Sequence, residues 1–370
     1  MRSRPILLLA VSAVLALALA ACGSSSSNSN SGTSGGSSTS GSGASGSING
    51  AGSTFAQPIY DQWGSNLKGQ GLTVNYQPVG SGAGIQQLTA GTVDFAGSDP
   101  PMKDAEISAA KGKGAPAHIP TVLGAITVSY NLSGVKAGLK LDGPTIADMF
   151  LGKVKTWKDP EIAKLNPGLQ LPSTAITIVH RSDSSGTTKG FTSFLAAHSP
   201  AWKSKVGADK DVKWPTGTGA KGNAGVAGAI KQTDGGVGYV EAAYALQNNF
   251  TFADVKNKSG KFVTPSLDST TAAGTGVKVP EDLRFTVIDS PSPSAYPIAS
   301  QTFVVVYQDL CKAGVSKAAA SGVVKFLNYG LGAGQDVAKQ LQYAPLPAPL
   351  VAKAKAKVAS LKCNGSPITG

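Results

Sequence analysis

Short apolar runs of strand length alternate with helical stripes along most of the chain. Leu123 to Tyr130, Ile176 to Val179, Val237 to Val240 and Thr302 to Tyr307 read as buried strands. Between them, Thr145 to Leu151, Thr188 to Ala197 and Gly225 to Lys231 carry helical patterns. Nearer the N-terminus, Val74 and Tyr76 alternate as a strand end, while Phe55, Ile59 and Trp63 fall at i, i+4 and i+8 on one helical face. Strands alternating with helices predict an α/β protein with central sheets. No internal repeat is visible. The stretch 251–296, rich in Asp, Ser, Thr and Pro, reads as a long irregular excursion.

The joints between these elements carry the chemistry. Arg181-Ser182-Asp183-Ser184-Ser185-Gly186-Thr187-Thr188 joins the strand at Ile176–His180 to a helix containing Phe191, Phe194 and Leu195. Helix N-termini present unpaired N–H groups and a partial positive charge, and an arginine adds a forked donor, so this turn suits an oxyanion. Taken alone it also reads as an ordinary capped helix, because Ser and Asp are common N-caps. Two further turns are of the same kind: Ala51-Gly52-Ser53-Thr54-Phe55, and Gly80-Ser81-Gly82-Ala83-Gly84 ahead of Ile85 and Leu88. Val93-Asp94-Phe95-Ala96-Gly97-Ser98-Asp99 places a carboxylate at a strand end before Pro100-Pro101. Together they suggest a small oxyanion held between converging helix ends.

At these residues the chain resembles the phosphate-binding proteins of bacterial phosphate ABC transporters. AGSTF at 51–55, GSGAG at 80–84, VDFAGSD at 93–99 and RSDSSGT at 181–187 are similar to that family's four ligand segments. LGKVKTWKDPEIAKLNPGLQLP at 151–172, VKWPTGTGAKGNAGVAG at 212–228 and GGVGYVEAAYALQNN at 235–249 also fit, in order and with similar spacing, from about Ile48 onward. The resemblance implies a two-lobed periplasmic-binding-protein fold of the second type. Its ligand cleft lies between lobes joined by a two-strand hinge. Lobe one would comprise 48–121 with 297–370 and lobe two 122–296, with crossovers near Pro120-Thr121-Val122 and Ala295-Tyr296-Pro297.

The resemblance also assigns roles. Thr54, Phe55, Ser81, Asp99, Arg181, Ser185, Gly186 and Thr187 would bind phosphate, and Asp183 would orient the Arg181 guanidinium. Phe55's ring belongs with the Ile59 and Trp63 stripe, leaving its backbone N–H for the ligand. Asp99 is the discriminating group. Phosphate at neutral pH keeps at least one P–OH to donate to a carboxylate, whereas sulfate keeps none. Asp99 also reads as the cap of a following helix, with Pro100 at its first position.

Length and composition add an address. Arg2 and Arg4, the apolar run Ile6 to Ala20 and the lipobox Leu19-Ala20-Ala21-Cys22 predict a lipoprotein signal peptide, 1–21, with Cys22 lipidated. That run is shorter than the roughly 20 residues a membrane span needs. Residues 22–47 then form a flexible Ser/Gly tether to the outer face of the cell membrane, spanning roughly 25–30 Å. The remaining body is large enough for two domains. Cys311 and Cys363 are left as an even pair in an oxidising compartment, so a disulfide is expected. Net charge is +12, of which Arg2 and Arg4 depart with the signal, leaving +10. The lysines are scattered, aromatic residues are 6% and no recognition motif appears, which argues against nucleic acid.

Other chemistries lack their residues. Three histidines and three cysteines form no zinc pattern, and no metal or cofactor is expected. His180 and Arg181 should face opposite sides of their strand, which separates His180 from Ser185. His118 and His198 sit in loop-like contexts. Gly217-Thr218-Gly219-Ala220-Lys221-Gly222 matches G-x-G-x-x-G formally, but without a clean preceding strand it reads as a glycine loop packed in lobe two. The expected activity is capture of phosphate by a monomer and delivery to membrane permease subunits, with no bond chemistry. The competing readings are a secreted phosphatase and a surface lipoprotein binding another oxyanion.

Overall fold

The computed structural model describes residues 46–368; the signal peptide, Cys22 and most of the tether lie outside the described residues. The first stretch is β1 (Gly46–Gly52), α1 (Gln57–Lys68), β2 (Leu72–Gln77), α2 (Ser81–Ala90), β3 (Phe95–Ser98) and α3 (Asp104–Ala110). A long strand, β4 (Pro116–Asn131), follows. Next come β5 (Lys140–Leu141), α4 (Gly143–Phe150), α5 (Pro160–Leu165), β6 (Thr177–Arg181), α6 (Gly186–His198), α7 (Pro200–Lys205), β7 (Thr218–Ala220), α8 (Gly222–Lys231), β8 (Gly236–Glu241) and α9 (Ala242–Gln247). The expected irregular excursion is partly regular. It holds β9 (Thr251–Phe252), β10 (Asp254–Lys256), β11 (Phe262–Val263) and α10 (Leu267–Gly274), and β10 pairs with both β11 and β5. The chain ends in β12 (Ala299–Tyr307), α11 (Lys317–Gly330), α12 (Gly334–Gln340), α13 (Ala348–Ala359), β13 (Lys362–Cys363) and β14 (Ser366–Pro367).

One curled sheet organises two lobes. Its order is β2-β1-β3-β12-β4-β8-β6-β7, with β9 added against β4. β4 is the shared element. From Pro116 to Ala125 it pairs with β12, and from Ile126 to Asn131 with β8. Its 14 interior residues, Ala117 to Tyr130, are all buried because the central sheet is covered on both faces, which explains a continuous apolar run rather than an alternating one. The register of β4 with β12 slips at Thr302/Phe303, where Val122 faces Thr302 and Pro120 faces Phe303. Pro120 has no N–H for the ladder and sits at this bulge, where a strand tolerates proline.

The parallel pairs β1–β2, β1–β3, β6–β8 and β6–β7 set the position of the site. In such sheets ligands bind beyond the carboxyl ends of the strands, where helices begin. The turns after β1, β2, β6 and β7 therefore bring the N-termini of α1, α2, α6 and α8 together, with Asp99 just after β3 beside them. α1 buries Ile59, Tyr60, Trp63 and Leu67 against this frame. In the second lobe, Phe150, Phe191, Trp214 and Tyr239 pack as an aromatic group, with Phe191 and Tyr239 stacked at 4.4 Å. Cys311 and Cys363 form the expected disulfide, their Cα atoms 4.7 Å apart, which ties the β13–β14 hairpin to the segment after β12. Among the described residues no helix is long and apolar enough to cross a membrane.

Candidate functional site

Arg181 is the last residue of β6, with its side chain almost wholly buried. Asp183 grips its guanidinium on two sides: Nε donates to Oδ1 at 2.7 Å and Nη2 to Oδ2 at 2.5 Å. Nη1 donates to Thr187 Oγ1 at 3.3 Å. A guanidinium has five N–H donors, so two are left beyond these three contacts. The Arg181 backbone is fixed as well, its N–H donating to Tyr239 Oη at 3.1 Å. Burial works against the charge on Asp183. The hydrogen bonds and charge of Arg181, with the Gly222 N–H, nevertheless hold this carboxyl below its ordinary value. It stays ionised and the guanidinium stays oriented.

α6 starts at Gly186, capped by Ser185, whose Oγ accepts from Thr188 N at 3.1 Å. The Ser185 hydroxyl proton is left to point elsewhere. The Gly186 and Thr187 amides, as the first two of the helix, have no intrahelical acceptor. Gly186 lies so close to the other lobe that a Cβ there would sit 2.3 Å from Asp99 Oδ2 and 2.5 Å from Ser81 Oγ. Ser81 opens α2 in the same manner and is fully buried.

Asp99 is 1% exposed. Its Oδ1 accepts from Ser53 Oγ at 2.5 Å and Thr302 Oγ1 at 2.9 Å, while Oδ2 has only a long contact with Ser81 Oγ at 3.5 Å. One oxygen is thus saturated and the other retains accepting capacity toward the α6 N-terminus. Burial pushes the Asp99 carboxyl up to about 6, against the hydrogen bonds from Ser53 and Thr302 and the charge of Arg181. Asp99 caps no helix: α3 begins at Asp104, with Lys103 at its N-cap position. The Pro100-Pro101 pair delays the helix by several residues.

Thr54 Oγ1 accepts from the Asn223 Nδ2 at 2.9 Å and the Asn223 backbone N–H at 3.2 Å, and the Thr54 carbonyl accepts from Tyr244 Oη at 2.8 Å. Phe55 buries its ring edge-on to Tyr343, at 6.0 Å, and its carbonyl accepts from Tyr343 Oη at 2.5 Å. Thr54, Ser81, Asp99, Arg181, Ser185, Gly186 and Thr187 therefore converge, with Phe55 next to Thr54. The lobes touch around them: Gly82 N donates to Ser184 O at 3.0 Å, and Lys103 and Glu106 pair with Asp209 and Lys210.

Several participants escaped the sequence reading. Ser53 lies inside one of the quoted motifs. Thr302 gave no signal, because a threonine in an apolar strand reads as core; the bulge in the β4–β12 pairing is beside it. Asn223 lies in the formal G-x-G-x-x-G segment. That segment is no mere packing loop: β7 enters it, α8 leaves it, and Gly222 abuts Thr54 across the cleft. The histidines have partners. His180 stacks on Trp214 at 4.7 Å, and its Nδ1 lies 3.0 Å from the Arg181 carbonyl oxygen. His118 is in β4 rather than a loop and accepts from Met102 N at 3.0 Å, and burial pushes it down to about 4. His198 closes α6 and meets Asp289 at 3.0 Å. Among the described residues, no group of three or more His, Cys, Asp or Glu side chains is placed to hold a metal ion.

A family model for the PBP superfamily domain matches residues 37–331. The phosphate-binding protein PstS of Pasteurella multocida is 42% identical over 315 residues, covering 84% of this chain and 89% of that protein. PstS of Methanocaldococcus jannaschii is 35% identical over 308 residues, covering 78% and 79%. Among solved structures, a high-affinity periplasmic phosphate-binding protein bound with phosphate, PfluDING, is similar in fold. Its TM-score is 0.69 at 24% identity, over 84% of this chain and 93% of that one. With the PBP superfamily model spanning most of the chain and relatives of this identity matching over more than three quarters of it, the chain belongs to the PstS phosphate-binding protein family.

Proposed function

We propose that this chain captures inorganic phosphate outside the cytoplasm and delivers it to the permease of an ABC importer. The observation that carries this reading is Asp99: a buried carboxylate with one saturated and one available oxygen, set among donors. The donors are the two free N–H groups of Arg181, the hydroxyls of Thr54, Ser81, Ser185 and Thr187, and the amides of Phe55, Ser81, Gly186 and Thr187. Helix N-termini and a guanidinium neutralise the anion in a site shielded from water, where each charge-assisted hydrogen bond is strengthened. Asp99 accepts the P–OH of phosphate. Sulfate brings a lone pair to the same oxygen. A buried polar group left unmatched in this way discriminates by roughly 10⁴–10⁵ in favourable sites.

The lobes, 48–121 with 297–370 and 122–296, hinge open to admit the ligand and close to bury it, and no bond is made or broken. The protein acts as a monomer anchored through lipidated Cys22 on the outer face of the membrane, where the Ser/Gly segment gives it reach to the permease. Equilibrium dialysis with labelled phosphate tests this. Retention displaced by unlabelled phosphate, but neither by sulfate nor with turnover of a phosphate monoester, is the expected result. Hydrolysis of the ester, or no retention, contradicts the reading. Cys22→Ser should move the protein from the membrane fraction to the soluble one.

A further inference from the structure

We propose that Asn223 is a positioning residue that turns the hydroxyls of Thr54 and Thr187 into obligate donors toward the bound anion; this rests on the phosphate reading of the site. Asn223 is fully buried at the start of α8. Its side-chain amide has one unambiguous contact: the Glu241 backbone N–H donates to one amide atom at 3.0 Å. A backbone N–H only donates, so that atom is Oδ1 and the other is Nδ2. The orientation of the amide is thereby fixed by the main chain.

Nδ2 then has two partners, one on each lobe. It donates to Thr54 Oγ1 at 2.9 Å and to Thr187 Oγ1 at 3.3 Å. A hydroxyl oxygen has two lone pairs and one proton. Thr54 Oγ1 also accepts from the Asn223 backbone N–H, and Thr187 Oγ1 also accepts from Arg181 Nη1. Both lone pairs of each oxygen are therefore taken. What each threonine has left to offer is its O–H, and the unfilled direction is the cleft. Left free, a hydroxyl rotor points its proton at any acceptor or its lone pair at any donor. With Asn223 in place that choice is removed before the anion arrives, so the reorientation is not charged to binding. Because the two threonines belong to different lobes, the same amide also completes its contacts only when the lobes meet.

The test is a double-mutant cycle on phosphate affinity, measured by calorimetry on the full mature chain stripped of ligand. Thr187→Val should weaken phosphate binding at least tenfold in the wild type. In Asn223→Ala, whose hydroxyl rotors are no longer set, the same change should cost threefold or less, and Thr54→Val should behave in parallel. A role confined to packing gives the same fold-loss in both backgrounds, and that additivity overturns the proposal. Should Asn223→Ala fail to fold by thermal unfolding, the isosteric Asn223→Asp enters the same cycle. Its carboxylate draws the threonine protons toward itself, so Thr187→Val should again cost little. Wild type that binds no phosphate overturns the reading of the site instead, which keeps the two failures apart.

Discussion

Asp99 is poorly placed for stability and, on the proposed reading, well placed for recognition. Its carboxyl is buried and its pKa is pushed up to about 6 from an ordinary 3.8. The native state therefore binds a proton more tightly than the unfolded state. Stability attributable to this group falls as pH rises from about 4 through 6, and at neutral pH the full penalty applies. The shift corresponds to an order of 3 kcal/mol. Asp99→Asn keeps the shape and removes the charge, so the ligand-free variant should unfold about 1–3 kcal/mol later than wild type at pH 7.5. That advantage should shrink toward pH 5. Denaturant titrations at several pH values measure it, and a variant less stable than wild type at every pH contradicts the account. The neighbouring Arg181–Asp183 pair behaves oppositely, with its carboxyl held low and its guanidinium locked. Asp99 and Arg181 were legible as chemistry because each stands at a strand end beside a Gly- and Ser-rich turn. Thr302 and Asn223 were not: one looks like any β-branched strand residue, and the other is a lone amide among glycines.

At the scale of elements, four helix N-termini converge, and their closeness is steric as much as electrostatic. Gly186 has an ordinary helical backbone; its constraint is space, since a Cβ would lie 2.3 Å from Asp99 Oδ2. Gly186→Ala should lower phosphate affinity at least a hundredfold by holding α6 off the opposite lobe, while each lobe stays folded. Isothermal titration with thermal unfolding separates the two; an unchanged affinity would show that the lobes do not close as described. The strands of the core matched their apolar runs because burial on both faces leaves few other readings. The limits of β4 did not: Pro116 and Pro120 break the sequence pattern, yet one sits at the strand start and the other at a bulge. His118 was assigned to a loop for the same reason. The excursion at 251–296 hid its short strands, since two- and three-residue pairings leave no period to detect.

Across the whole molecule, contacts run along two margins. Near the anion site, Asn223 and Gly82 reach across the cleft. Farther out, Lys103 and Glu106 of the first lobe form ion pairs with Asp209 and Lys210 of the second, and Arg284 meets Asp104 at 3.0 Å. Lys210 is nearly buried, and its carbonyl accepts from Ser185 N at 3.0 Å, so the outer pairs are tied to the anion site through the main chain. Removing Glu106 leaves a buried ammonium without its partner in the closed form alone. Glu106→Gln should therefore weaken phosphate binding by roughly tenfold, with less dependence on salt than wild type; equal affinity and equal salt dependence would rule out a part for these pairs in closure. The two-lobed arrangement followed from the family resemblance, since periodicity alone gives no reason to divide the body.

The central claim is that one buried acceptor among donors selects a protonated oxyanion. Calorimetric titration of the ligand-stripped mature protein with phosphate and then sulfate, near neutral pH and at fixed ionic strength, tests it most directly. Tight one-to-one phosphate binding with no sulfate heat, and a phosphate-to-sulfate ratio that collapses in Asp99→Asn, is the predicted result. Equal binding of both anions by wild type, or a ratio untouched by Asp99→Asn, would contradict it.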